Sequence, residues 1–143
     1  MSGVFVDSSV FLKILEGDET AKKLFISLYQ KEKLYRNAIV YSEVIYVWIK
    51  LVTGKKSFEL KKMPDSVREM CSEIGNIKAF LDLTKSLPLS AEIEDLAEEM
   101  IQKYGLLPND ALIAATCKHY GIRKIATFDE DFRRVDFLNV IEI

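Results

Sequence analysis

The fold class predicted for this chain is α/β, with a central parallel sheet covered by helices on both faces. Three observations carry that expectation. Short β-branched or aromatic runs alternate with longer stretches of helical periodicity, the pattern of strands joined by helical crossovers. A late stretch, Ala111-Leu112-Ile113-Ala114-Ala115, is small and apolar enough to pack closely on a sheet. The chain has 143 residues, 49% apolar and 29% charged, which is the profile of one globular domain spanning residues 1–143.

Taken in order, Val4-Phe5-Val6 reads as a buried strand, ended by Asp7-Ser8-Ser9 and followed by Val10-Phe11-Leu12, a turn into a short helix. From Asp18 onward, Ala21, Leu24, Phe25, Leu28 and Tyr29 form the stripe of an amphipathic helix, with Lys22, Lys23 and Lys31 off it. Leu34-Tyr35 and Ala38-Ile39-Val40 bracket a second strand. Tyr41-Ser42-Glu43 then opens a strongly apolar helix that runs through Leu51 and stops near Gly54. Gly54 to Lys62 is a basic loop or helical tip. Pro64-Asp65, with Ser66 and Glu69 in capping-box spacing, starts a helix that extends through Ile77, Phe80 and Leu81, weakened at Gly75. Leu87-Pro88-Leu89 is extended, and Ser90 caps a helix whose Ile93, Leu96, Ala97, Met100, Ile101 and Tyr104 keep helical spacing up to Gly105. Pro108-Asn109-Asp110 opens a helix from Ala111 to Tyr120 that ends at Gly121. Ile125-Ala126-Thr127 and Val140-Ile141 finish the chain as strands.

Several function classes are excluded or disfavoured. Twenty basic against 22 acidic residues give a net charge of −2, so no broad polycationic surface is available for nucleic acid and any such contact is local. Cys71 and Cys117 stand far apart without zinc-type spacing, which argues against a disulfide framework or a zinc site. Asp7 interrupts the first apolar run too early for a signal-peptide core, and no run approaches the ~20 apolar residues of a membrane span. The expectation is a reduced, cytoplasmic protein without a membrane partner. Gly54-Lys55-Lys56-Ser57 resembles the end of a phosphate-binding loop, but Ile49 stands where its first glycine belongs. His119 is the single histidine and sits late in a helix, where a surface role is expected and no histidine-based nucleophile device is convincing. Asp7-Ser8-Ser9 lacks the second aspartate of an aspartyl-phosphate phosphatase. A signalling receiver domain would need paired acids after the first strand and a lysine after a late one, and neither is present.

What remains is a set of carboxylates in unusual places. Asp7 ends the first strand, Glu43 begins the most apolar helix, Asp110 begins the small-residue helix and Asp129 follows the strand at Ile125. In a parallel α/β sheet, strand C-termini and the helix N-termini that follow them share one edge, where ligands bind. Each acid alone is explained by a cap, a first-turn charge or a turn, and Asp131 competes with Asp129 for the last position. Together they are less comfortable, because two carboxylates ~4 Å apart repel by ~4 kcal/mol at an effective dielectric near 20. A hard divalent cation offsets such repulsion and leaves positions for a phosphate oxygen, which points to metal-assisted hydrolysis.

These residues resemble PIN domains and, within them, the small ribonuclease toxins of VapC type. The matching blocks are Val4-Phe5-Val6-Asp7-Ser8-Ser9-Val10-Phe11, Ser42-Glu43-Val44, Asn109-Asp110-Ala111-Leu112-Ile113-Ala114-Ala115 and Ile125-Ala126-Thr127-Phe128-Asp129-Glu130-Asp131-Phe132, in the family's order. The resemblance implies a three-layer α/β/α domain and a Mg²⁺- or Mn²⁺-dependent endoribonuclease, with Asp7 and Asp110 as inner ligands and Glu43 and Asp129 coordinating directly or through water. It also implies that Ser9 and Thr127 orient a ligand or water, that the chain forms a homodimer, and that an antitoxin peptide occupies the acidic groove. A PIN module that binds RNA or a partner protein without catalysis is the alternative. The longer middle, roughly Gly54 to Ser86, departs from the shortest toxins. Lys55, Lys56, Lys61 and Lys62 form a basic tip within RNA reach, with a solvated helix end as its plainer explanation. Lys13, Lys50, Arg133 and Arg134 are further candidates for local phosphate contacts around a groove that repels RNA until a cation enters.

Overall fold

The computed structural model describes residues 2–141; Met1, Glu142 and Ile143, counted in the expected domain, lie outside the described residues. In chain order the elements are β1 (Val4–Val6), α1 (Ser8–Leu15), α2 (Glu19–Lys31), β2 (Leu34–Arg36), α3 (Ala38–Thr53), α4 (Ser57–Leu60), α5 (Pro64–Arg68) and α6 (Cys71–Leu81). They continue with β3 (Lys85–Ser86), α7 (Ala91–Tyr104), α8 (Pro108–Tyr120), β4 (Lys124–Ala126), a 3₁₀ turn at Glu130–Arg134 and β5 (Asn139–Val140). The strands form one sheet in the order β3-β2-β1-β4-β5, and every pairing is parallel. Val4, Phe5, Val6, Ile125 and Ala126 have no exposed surface, as central strands covered on both faces require. Right-handed crossovers put the helices between β1 and β3 on one face and α7 and α8 on the other. The packing agrees: α1 lies against α2 and α3, α3 against α6, and α7 against α8. The expected three-layer α/β/α architecture is the one found.

The order of the strands decides where a site forms. From β1 the chain winds outward through β2 to β3, then returns to lay β4 on the other flank of β1. Adjacent crossovers therefore leave the sheet in opposite directions between β1 and β4, opening a crevice at their C-terminal ends. Val6 pairs with Ala126 and the Asp7 N–H continues the ladder to the Ala126 carbonyl at 3.0 Å, so Asp7 and Thr127 meet at that crevice.

Several boundaries differ from expectation, each for a local reason. Ala38-Ile39-Val40 is the first turn of α3, not strand. The buried Asn37 caps it, its Oδ1 accepting from the Ile39 and Val40 N–H groups at 3.1 and 3.2 Å. Its Nδ2 donates to the Thr116 hydroxyl at 2.9 Å, tying the start of α3 to α8. The expected helix from Ser66 is two helices: Pro64 opens α5 without the Ser66–Glu69 box, and buried Met70 holds the break before α6, which contains Gly75. The third strand lies at Lys85–Ser86, just ahead of Leu87-Pro88-Leu89, although the Leu87 N–H still bonds the Arg36 carbonyl at 2.7 Å. The basic 54–62 tip contains the short α4, whose Leu60 is buried. Gly54, at φ +67°, terminates α3 with its N–H on the Lys50 carbonyl, so it is a helix cap and not part of a phosphate loop. The closing strands are shifted one residue back from expectation, leaving Thr127 and Ile141 just outside them, and the Ile141 N–H still bonds the Ile125 carbonyl at 2.9 Å. Phe11, Phe25 and Phe80 pack mutually at centroid distances of 5.3 to 5.8 Å and lock α1, α2 and α6 together. Among the described residues no helix is long and apolar enough to cross a membrane.

Candidate metal centre

Asp7 leaves the buried end of β1 and is 3% exposed. It stands at the N-cap of α1 yet makes no side-chain cap bond, so its carboxylate is not consumed by the helix start. Its Oδ2 instead accepts from the Thr127 hydroxyl at 2.7 Å and the Ser9 hydroxyl at 3.0 Å. Both hydroxyls are themselves held: Thr127 accepts from the Asp129 N–H and Ser9 from the Phe128 N–H, each at 2.9 Å. Oδ1 has only a 3.4 Å approach from Ser8. Burial pushes the Asp7 carboxyl above the ordinary range and the charge of Asp129 adds to that, while the hydroxyls of Thr127 and Ser9 pull it back. Ser9 and Thr127, expected to orient a ligand or water, have their protons directed at Asp7.

Glu43 lies in the second turn of α3, because the helix begins at Ala38; a first-turn dipole role therefore does not account for it. The Ser8 hydroxyl donates to its Oε1 at 3.1 Å, and the nearby Asn109 side chain also favours its charged form. Burial and then the charge of Asp7 raise its pKa. Asp110, in the first turn of α8, is pushed up to about 7, first by burial and then by Asp129, Asp7, Glu43 and Asp131. A cleft of about 400 Å³ is lined by Glu43, Leu107, Pro108, Asn109 and Asp110.

Asp129 and its rival Asp131 both reach the centre. One carboxylate oxygen from each of Asp110, Asp129 and Asp131 lies within 4.8 Å of the others. Their other attachments differ. Asp129 is half-buried and uses Oδ1 to cap the 3₁₀ turn by accepting the Asp131 N–H at 2.9 Å. Asp131 is exposed and its Oδ1 is paired with Arg134 at 2.7 Å. Asp129 thus has a backbone N–H as its partner, and Asp131 a guanidinium.

Among the described residues Asp110, Asp129 and Asp131 form the cluster of close carboxylates, and Asp7 and Glu43 lie within its electrostatic reach. Three participants escape a reading of the sequence. Ser8 reaches Glu43 across 35 residues, Asn109 lowers the Glu43 pKa from the start of α8, and Asn37 fixes α3 on α8. The one available signal was that Ser8 and Asn109 directly adjoin the site aspartates. His119 is an exposed residue of the last turn of α8, with its Nδ1 3.8 Å from Glu92. The donor set is all oxygen, and among the described residues no cation is paired with Asp7, Glu43 or Asp110, a surplus of negative charge that suits a hard divalent ion.

An acidic crevice at the switch point of a parallel α/β/α sheet is where such folds bind ligands, and an all-oxygen, negatively charged lining suits a hard cation. The chain belongs to the PIN domain family, whose model matches residues 4–138. It is 42% identical over 141 residues to Ribonuclease VapC2 of Methanocaldococcus jannaschii, covering 98% of this chain and 93% of the relative. It is 40% identical over 153 residues to Ribonuclease VapC6 of the same organism, covering 99% and 97%. A chain from a toxin-antitoxin complex of Klebsiella pneumoniae superposes with a TM-score of 0.66 over 97% of this chain and 96% of its own. At 18% identity it speaks to the fold alone.

Proposed function

We propose that this protein is a divalent-metal-dependent endoribonuclease that hydrolyses RNA phosphodiester bonds in the cytoplasm and serves as the toxin of a toxin–antitoxin pair. The observation that most supports this is the convergence of Asp7, Glu43, Asp110 and Asp129 at the β1–β4 crevice in a relative of two VapC ribonucleases. Mg²⁺ or Mn²⁺ is the proposed cation, with Asp7 and Asp110 as its inner ligands and Glu43 and Asp129 bound directly or through water. When bound, such an ion supplies positive charge to a phosphate oxygen and acidifies water.

The residues divide the remaining work. Ser9 and Thr127 hold Asp7 by Oδ2, which fixes the carboxylate plane and leaves Oδ1 the less engaged oxygen. Glu43, with its pKa raised by burial and by Asp7 and with the Ser8 hydroxyl on its Oε1, is suited to accept a proton. Arg134 neutralises Asp131 at the rim, so the approaching phosphodiester meets less negative charge there.

The homodimer and the antitoxin belong to the same proposal. Exposed Ile26, Tyr29 and Leu83 surround one apolar groove, and Tyr46 borders a second near exposed Phe58, giving apolar surface for both contacts. The decisive experiment incubates the purified protein with end-labelled RNA, with and without Mn²⁺, beside Asp110→Asn. Cleavage that ignores EDTA, or that survives in the variant, would overturn the proposal.

A further inference from the structure

A nuclease whose crevice gathers carboxylates faces a second electrostatic problem, because RNA carries a negative charge at every nucleotide. The cation answers for one phosphate; its neighbours still approach an acidic rim. Of the four cations singled out near the groove, Arg134 is committed to Asp131 at 2.7 Å and to the Tyr104 carbonyl at 3.1 Å. Arg133 is paired with Glu130 at 2.8 Å, and Lys50 lies 5.1 Å from the Tyr46 ring centroid on the exposed side of α3. Lys13 differs from all three.

Lys13 sits one helical turn beyond Ser9 on the same face of α1, in that helix's last turn. Ser9 holds Asp7 and accepts the Phe128 N–H, and the Lys13 Nζ lies 4.8 Å from the centroid of the Phe128 ring. Phe128 stands between Thr127, which holds Asp7, and Asp129. The ammonium is therefore seated on the residue between Thr127 and Asp129, on a helix whose start the site's own hydrogen bonds position. No carboxylate among the described residues lies within ion-pair distance of it. Seated on an aromatic face, the ammonium keeps donors available to a new acceptor. A helix-end charge alone would be served at any last-turn position and needs no seat on Phe128.

We propose that Lys13, held over Phe128, binds an RNA phosphate adjoining the scissile one and so sets the register of the strand across the acids. The proposal rests on the ribonuclease reading above. It makes Lys13 a substrate-binding residue whose contact is electrostatic and blind to base sequence.

The test measures binding of a labelled single-stranded RNA of mixed sequence by fluorescence anisotropy across a salt series. Lys13, Lys13→Gln and Lys13→Arg are compared in the Asp110→Asn background, with steady-state kinetics in the otherwise wild-type chain. Lys13→Gln is expected to weaken binding roughly three- to tenfold and to reduce the slope of log K against log salt by ~0.7, the loss of one single-strand phosphate contact. KM rises by a similar factor, kcat stays within about twofold, the melting temperature is unchanged, and Lys13→Arg restores both binding and slope. An unchanged salt slope with unchanged KM overturns the proposal, and so does a fall in melting temperature with the slope intact, which marks a structural lysine. If the unsubstituted chain neither binds nor cuts RNA, the ribonuclease reading fails and this proposal with it; an unchanged kcat/KM in Lys13→Gln removes this proposal alone.

Discussion

The two edges of the sheet treat their acids in opposite ways. Where strands begin, each acid has a cation. Glu32, before β2, pairs with Lys124 at 2.6 Å; Asp82, before β3, with Arg36 and Lys78, both at 2.8 Å; and Asp136, before β5, with Lys103 at 3.2 Å. Hydrogen bonds from these partners and from Tyr104 hold the Asp82 and Asp136 carboxyls below the usual range. Where strands end, the partners of Asp7, Glu43 and Asp110 among the described residues are hydroxyls, amides and like-charged neighbours, and burial pushes all three up. The sheet is the same; the difference is what stands beside each acid. One edge satisfies charge internally, and the other leaves it open to a ligand that brings positive charge.

The strongest way to break that contrast is to remove an acid from the unsatisfied edge. Asp110→Asn is expected to lower RNA cleavage by ~10²-fold or more, since each ligand and its supports control both affinity and activity of such a centre. The same substitution stabilises the metal-free protein. Asp110 is held near pH 7 in the folded chain, so above the unfolded carboxylate pKa its charge opposes folding. Discounted for its half exposure, relief is ~1 kcal/mol, read from urea unfolding in EDTA at neutral pH. A variant that loses activity and stability together would contradict the contrast.

Metal addition is expected to act on one edge only. Mn²⁺ at ~100 times its dissociation constant adds ~2.7 kcal/mol, a rise of several degrees in melting temperature. Asp110→Asn abolishes most of that rise. A further test concerns the hydroxyl supports: Thr127→Val removes the donor to Asp7 and the acceptor of the Asp129 N–H while keeping the shape. It is expected to weaken Mn²⁺ affinity ~10–100-fold and to cost ~1–2 kcal/mol of stability, checked by metal titration and denaturation.

Much of this edge was legible in the sequence because the residues carrying it sit next to strong punctuation. Asp7 follows an unbroken Val-Phe-Val strand, and Asp110 follows a Pro at the start of a helix. What was illegible depends on contacts between distant segments. The strand ending at Arg36 runs into β-branched Ile39 and Val40, so composition alone extends it; only the bond from Asn37 to Thr116, 79 residues away, fixes the helix start there. That shift moves Glu43 into the second turn and removes its simplest structural explanation. The rivalry between Asp129 and Asp131 was equally closed to sequence, because both stand in the same turn and only Arg134 distinguishes them.

The pH dependence of the metal-free protein follows from the same raised groups. A carboxyl raised in the folded state contributes nothing adverse below the unfolded pKa, near 3.8 for Asp, and opposes folding progressively as pH rises toward its folded value, about 7 for Asp110. Stability in EDTA should therefore fall between about pH 5 and about pH 8, and saturating Mn²⁺ should flatten or reverse that fall. Urea midpoints at both pH values, with and without Mn²⁺, check the sign.

The smallest effect belongs to the satisfied edge. Glu32→Gln removes the partner of Lys124, a pair in which both side chains keep about a third of their surface exposed, 29% and 38%. Ion pairs of this kind contribute only ~0.2–1 kcal/mol, so the variant should unfold within ~1 kcal/mol of the parent and respond to Mn²⁺ exactly as the parent does. The second half of that expectation carries the weight. If neutralising Glu32 altered the Mn²⁺-induced rise in melting temperature, charge at the strand starts would be coupled to charge at the strand ends, and the two edges would have to be treated as one electrostatic system. An unchanged rise keeps them separate, with the cation's free energy confined to the crevice between β1 and β4.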